Sequence, residues 1–517
     1  MSSNNQQTSL QVCFGGKIFN VHPQSMRENT YFPAILKHDC FKEHRNGSVE
    51  LDNVFCGLEI SQDRMAEYID YLHGGNEIFL TLDNIDDFMI LATYFGDEIL
   101  VAWIESFIAE QLYLHPEAMG TVYLFCKKWN IQQGIVESEE MIERRFGWFS
   151  LSEDVVLLEE RHILRFLEND YLSCREELLL NALFKWIHDQ PAARLPNIDK
   201  YLKHIRFDLI QEECQEHFKN KYDFTFPVSN SKSSFRFPKA KADSKIVSLS
   251  NYANCIQIFD PIRKNYSMIS LGETLKQSDS VCSVMIGSRL FVLSECYYKK
   301  TPNQMFEIDL QNNGEFIADC PSLPTNLIRC EMVAIEDYVY VAGYSDEDIF
   351  ETLQLYNYCI HSKTWNKLSS ASLIRNPQKM ATINGRIYVI ERFIAYPGTS
   401  MIEEYDPLTD KWTLLPASLK TQDPSVTAFE GKLYFLGTDG SFSCIDLRKR
   451  SVETLSPLID DRNTYTIIAH EKFIYALSDG NVELMYDPNT NIWSFDHESL
   501  NCPRDYPMQN PQLHLWL

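Results

Sequence analysis

The sequence predicts a multidomain chain: an α/β region, then an all-α region, then an all-β propeller of six blades. Three observations carry this. A strand–turn–strand phrase recurs six times in the second half, a hairpin pattern precedes each clear copy, and no such repeat occurs before residue 235.

The phrase is plainest in EYDPLTDKWTLLP (404–416) and MYDPNTNIWSF (485–495). Proline fixes φ and removes an amide donor, so Asp-Pro ends a strand. The tryptophan that follows starts the next strand and brings a large apolar body for packing. Weaker copies lie at 258–269, 305–318, 355–368 and 444–455. With Asp260, Asp309, Asn357, Asp406, Asp446 and Asp487 as one phase, the spacings are 49, 48, 49, 40 and 41. Ahead of these corners lie MATINGRIYVI (380–390), VTAFEGKLYFLG (426–437), YTIIAHEKFIYAL (465–477) and two similar stretches, each an apolar run, a short polar turn and an aromatic-centred strand. That is a hairpin pattern. Four strands per 40–50 residues is the period of propeller blades. Counted from KIVSLSN (245–251), the first blade has only three strands, and the alternating tail QLHLWL (512–517) is expected to supply the fourth and close the ring.

The first 230 residues follow other periods. In QVCFGGKIFNVH (11–22), Val12 and Phe14 alternate before a Gly-Gly turn, and Ile18 begins a second strand. YFPAILKH, a third strand in GSVELDN, and a helix in RMAEYIDYLHGG follow. Met65, Tyr68, Ile69 and Leu72 share one face of that helix, and a strand IFL comes next. Residues 86–112 hold two helical patterns broken near Gly96. Residues 176–194 place Leu179, Leu183 and Trp186 on one helical face. From 213 to 244 periodicity gives way to Ser, Lys and Pro, as in a linker.

Composition narrows the function. The net charge is −25, shared by both halves, so the chain repels phosphate backbones and no nucleic-acid partner is expected. No apolar run reaches bilayer length, so no membrane partner is expected, and the first residues, MSSNNQQTSL, lack the pattern of a secretory leader. The 14 cysteines include no CxxC pair, as expected of reduced thiols in a cytoplasmic or nuclear protein. No HExxH, GxSxG or P-loop occurs, so no catalytic, cofactor or metal residues are assigned and no enzyme activity or cofactor is expected. The longest loops between second and third strands, 294–304, 343–351 and 391–400, are candidates for binding a protein. Among their aromatics, Tyr344, Phe393 and Tyr396 are singled out as binding candidates. Arg329, Arg375, Lys420 and Arg462 precede first strands and are either a basic ring near the channel or ordinary solvated loop charges. Trp365, Trp412 and Trp493 are expected in the blade cores.

The order GGKIFNVH, Tyr31-Phe32, VELDNV and YIDYLHGG–IFL resembles a BTB domain, and the helical stretch after it resembles BACK. With the repeats, the whole chain resembles the BTB–BACK–Kelch family. The implied division is BTB at 8–112, BACK at 113–222, a linker at 223–240 and a six-bladed Kelch propeller at 241–517. The resemblance implies a substrate adaptor of a cullin-3 ubiquitin ligase. Phe41-Lys42-Glu43 would stand at the family's cullin-contacting motif, with Phe95 as a second contact, although Phe41 and Phe95 are also plausible core residues. A non-degradative, actin-associated cytoskeletal scaffold is the other role the resemblance allows. Family members dimerise through a leading helix and an Asp at the first strand. Here about ten polar residues precede the strand and Ser9 stands at the Asp position, so a homodimer weaker than the family norm, or a monomer, is expected. The usual Gly-Gly at the end of each second blade strand is also missing, and single glycines survive at Gly343 and Gly437.

Overall fold

The computed structural model describes residues 10–22, 31–32, 42–55, 57–58, 60–75, 77–114, 118–170, 172, 174–210, 212–227, 245–249, 255–260, 263, 265–270, 280–295, 303–311, 315–345, 353–371, 377–391, 401–416, 419, 424–458, 465–478, 481–495 and 512–516. The chain divides into two compact units, Met1–Ile142 and Glu143–Leu517.

In the first unit, strand Leu10–Phe14 is the centre of a three-stranded sheet. It pairs antiparallel with Lys17–Val21 and parallel with Ser48–Glu50. The hairpin turn needs two left-handed residues, and Gly15 and Gly16 supply them at φ +61° and +79°. Leu10, Val12 and Phe14 are buried, as the alternation requires. Helix Gln62–Leu72 buries Met65, Tyr68, Ile69 and Leu72, with Tyr71 added. Gly96, at φ +71°, ends helix Ile85–Phe95. The carboxylate of Asp97 then accepts the amide of Leu100 at 3.1 Å and caps helix Glu98–Leu114.

One expected element is absent. Ile78–Leu80 does not join a ladder among the described residues, although its alternation is intact: Ile78 and Leu80 are buried and Phe79 is 78% exposed. The Asn84 side chain takes the place of a partner strand, donating to the Phe79 carbonyl and accepting from the Thr81 amide, each at 2.8 Å.

The second unit opens with helices. Helix Glu176–Asp189 buries Leu179, Leu183 and Trp186. The stretch that loses periodicity after residue 213 nevertheless contains helix Glu212–Tyr222. Its amphipathic signal is carried by aromatics rather than aliphatics: Tyr222 stacks on Phe184 at 4.7 Å and Phe218 is buried. Phe224 and Phe226 extend the cluster beyond the helix end.

Among the described residues, six four-stranded antiparallel sheets follow. In the first, Gln512–Trp516 pairs with Lys245–Leu249, ahead of Cys255–Asp260 and Asn265–Ser270, with Gln512 opposite Leu249 and Trp516 opposite Lys245. The tail strand therefore completes the first blade as expected. The innermost strands adjoin one another in a closed ring, and the tail lies between Thr466–His470 and Ser280–Ile286.

The Asp-Pro phrase makes both a corner and a stitch. Asp406 accepts the Leu408 amide at 3.1 Å and Asp487 accepts the Asn489 amide at 2.9 Å, closing each turn on itself. Tyr405 packs on Trp412 at 4.9 Å and Tyr486 on Trp493 at 5.1 Å. The tryptophans are half-buried rather than enclosed, because each indole N–H reaches the segment leaving the previous blade. Trp365 donates to the Pro321 carbonyl, Trp412 to that of Ser369 and Trp493 to that of Ser456, at 2.8, 2.9 and 3.1 Å. Asp410 and Asn491 add a second stitch by accepting the amides of Ser369 and Ser456. Trp412→Phe keeps most of the packing and removes one such bond. It is expected to cost about 1 kcal/mol in urea unfolding.

Candidate functional site

Three places bear on function. The first is the stretch after Tyr31-Phe32. Phe41 lies outside the described residues. Glu43 lies in the short helix Lys42–Asn46 and is partly exposed. Burial, the Tyr94 hydroxyl 3.2 Å away and, last, the Glu43 charge push the Tyr31 phenol well above its ordinary pKa. Phe95 is not a surface contact. It is wholly buried, stacked on Phe32 at 5.0 Å and on Tyr68 at 5.4 Å, with the edge of Tyr31 at 5.2 Å. The resemblance implies a contact here, but Phe95, the last residue of helix Ile85–Phe95, falls on the helix face turned to the core.

The second place is the propeller side that carries the loops between second and third strands. Arg375, Lys420, Arg462, Phe393 and Tyr396 lie outside the described residues. Arg329 and Tyr344 are described, and the fold brings them together. Arg329 does not precede the first strand of its blade, as expected, but sits inside strand Leu327–Ile335, where the register slips between Ile328 and Glu331. The slip is a bulge. Gly343 on the facing strand makes room for it, since a Cβ there would lie 3.0 Å from that of Leu327 and 3.2 Å from the sulfur of Cys330. The bulge holds Arg329 at φ +52°, a conformation that a non-glycine residue seldom adopts. Its guanidinium stands 5.8 Å from the ring centre of Tyr344, solvent-exposed over a half-buried ring. On the next innermost strand, Lys379 pairs with Glu331 at 2.8 Å.

The third place was not foreseen. Helical residues 145–210 meet the opposite side of the propeller, where the hairpin turns of blades three and four lie. Arg145 is fully buried and binds Asp337, its Nε donating at 2.7 Å. His361 stands 3.4 Å from the same carboxylate. Burial alone would raise the Asp337 pKa, but the His361 hydrogen bond and the Arg145 charge outweigh it and hold the carboxyl at about 2. Beside it, burial pushes Glu336 up to about 8, against the pull of Arg145, and its Oε2 is shut off from solvent without a hydrogen-bond partner among the described residues. Trp148 lies against Tyr338, with ring centres 6.2 Å apart.

Thirty residues further along the chain, Arg175 grips Asp406 with both terminal nitrogens, at 2.9 and 3.3 Å. Arg386 binds Glu404 and approaches Glu177 at 3.5 Å and Asp406 at 4.0 Å. Burial would lower the Arg386 pKa, but Glu404 and Glu177 more than compensate and keep it charged. A cavity of about 110 Å³ adjoins this network, walled by Glu177 and Asp208 on the helical side and by Arg386 and Arg450 on the blades. Among the described residues no group of three or more His, Cys, Asp or Glu is placed to hold a metal ion, and no helix is long and apolar enough to cross a membrane.

Comparison with known proteins agrees with this architecture. The family model described as BACK, BTB And C-terminal Kelch, matches residues 120–219. Kelch-like protein 11 of Mus musculus is 22% identical over 500 residues, covering 87% of this chain and 64% of that protein. Kelch-like protein 24 of Homo sapiens is 20% identical over 429 residues, covering 77% and 60%. A putative F-box/kelch-repeat protein of Arabidopsis thaliana is 24% identical over 199 residues, covering 35% and 57%. The chain thus spans less than two thirds of the length of each of these relatives.

Proposed function

The chain belongs to the BTB–BACK–Kelch family, and from that premise we propose that it acts as a substrate-recognition adaptor of a cullin-3 ubiquitin ligase, with no catalysis of its own. The first unit would hold cullin-3 through Phe41 and Glu43. The propeller would hold a protein substrate on its loop side, with Arg329 and Tyr344 among the contacts and Arg375, Lys420, Arg462, Phe393 and Tyr396 as further candidates from the loops. The observation that carries the substrate side is the asymmetry of the propeller. Helical residues cover hairpin turns of blades three and four, while Arg329 is presented on the other side, its backbone set by a bulge and its guanidinium over the Tyr344 ring. An arginine fixed before binding loses little side-chain freedom on contact.

Phe41 tests the cullin side. A phenylalanine between His38, Asp39, Lys42 and Glu43 is costly in water unless a partner covers it. Phe41→Ala is expected to weaken cullin-3 binding by about 2 kcal/mol, a factor near thirty, in calorimetric titration. Glu43→Ala should weaken it less and in a salt-dependent way, as for a rim charge. No cullin-3 binding by the wild type would leave the cytoskeletal-scaffold role as the better account, whereas unchanged binding by a folded Phe41→Ala protein would remove Phe41 from the contact. A lowered melting temperature with unchanged affinity would assign Phe41 to the core.

A further inference from the structure

We infer that helical residues 145–210 and the propeller are one cooperative body, joined by a two-point dock that fixes the loop side of the propeller relative to these helices. The first point is on blade three, where Arg145 enters the turn at Glu336-Asp337. The second is on blade four, where Arg175 and Glu177 meet Asp406 and Arg386. A single contact would leave the helices free to swivel about it. Two contacts on neighbouring blades remove that rotation, and the shared cavity, lined by Asp208 and by Arg450 of blade five, lies beside the second contact.

The character of the contacts supports a fixed joint over a hinge. Interfaces between mobile domains are usually polar and wet. Here the Arg145 side chain is 1% exposed, its partner Asp337 7% and Arg175 9%. Ions withdrawn this far from water are tolerated only when their partners sit in good geometry, so the arrangement selects one docked orientation against slightly rotated ones. The two-pronged grip of Arg175 on Asp406 is directional in the same sense. Asp406 has a double duty. It closes the Asp-Pro corner through the Leu408 amide and receives the helical region through its other bonds, so the blade corner and the dock are one structure.

Native-state hydrogen exchange on the full chain tests this. Amides of helix Glu176–Asp189 and of strands Tyr338–Ser345 and Arg386–Glu391 should open together, with one shared denaturant dependence. Replacing both Arg145 and Arg175 by Met should split them, with at least tenfold faster exchange in the helix and at the Ile360 amide, which is held on the Asp337 carbonyl, while the blade strands keep their protection. Opening of the helix at lower free energy than the blades in the wild type would overturn the inference. So would a folded double variant whose helix and blades still open together. If the double variant does not fold, the wild-type measurement alone decides.

Discussion

A chain lacking residues 512–517 is expected to lose about 4 kcal/mol or more of propeller stability, seen as a lower urea midpoint for the second unit. The tail strand covers the free edge of Lys245–Leu249, on which Ile246, Val247 and Leu249 are 1%, 0% and 0% exposed. Ile246 packs with Ile468, Tyr475 and Leu477 of the last blade, and Val247 and Leu249 pack with Val281 and Leu290 of the second. Truncation would therefore loosen two seams as well as one sheet. Full burial of such a side chain contributes about 1.5–3 kcal/mol, so partly uncovering three of them, together with the loss of a strand's ladder bonds, reaches the stated figure. The exposed edge should also make the protein aggregate at micromolar concentration. An unchanged midpoint in urea would mean that the ring does not depend on this strand.

Glu336→Gln is expected to stabilise the second unit by about 2–3 kcal/mol at pH 9 and to leave it nearly unchanged at pH 5. The folded protein holds a proton on Glu336 up to about pH 8, whereas the unfolded chain releases it near the ordinary carboxylate value. Between those limits the folded state binds more protons, so stability falls as pH rises from about 5 to 8, the reverse of the usual carboxylate trend. Asp337 contributes in the opposite direction only below pH 4, since its folded pKa is about 2, and it does not obscure the effect. The figure is about half of what the full displacement would give at about 1.4 kcal/mol per pH unit, allowing for relaxation around the ionised group. Thermal melts of both proteins across pH 5–9 measure it. Parallel curves would mean that Glu336 is ionised throughout.

Much of the fold could be read from periodicity. The strands of the blades, the missing first-blade strand and the helical faces of Tyr68 and Trp186 all follow from repeats of two, 3.6 or 40–50 residues. Ile78–Leu80 shows the limit. Alternation dictated which side chains are buried but could not say that an asparagine side chain, not a strand, would take the backbone bonds. Helix Glu212–Tyr222 escaped because its packing face is aromatic and sparse amid lysines.

The sites were less legible. Phe95 is a contact only by resemblance to the family, and a matching position does not report which way a helix face turns. Arg329 and Tyr344 were chosen separately, and their juxtaposition depends on a bulge that Gly343 permits. The dock was invisible because its members are far apart in sequence and each has an ordinary local meaning. Arg145 looks like the basic end of an amphipathic helix, and Asp406 like the end of a strand. Long-range pairing of charges leaves no period in a sequence.

Ring closure by the tail also sets an order of events during synthesis. The strand Lys245–Leu249 emerges from the ribosome early in the propeller, but the strand that pairs with it is made only after the other five blades. At a translation rate of about 5–20 residues per second, that wait is roughly 15–50 seconds. Throughout it, the first blade presents an unpaired edge, and the last blade, once made, has no neighbour on its open side. The growing chain therefore offers an unpaired strand edge to other chains at that stage. A ribosome stalled within the last blade would release a propeller that is nearly complete in sequence and still open in structure.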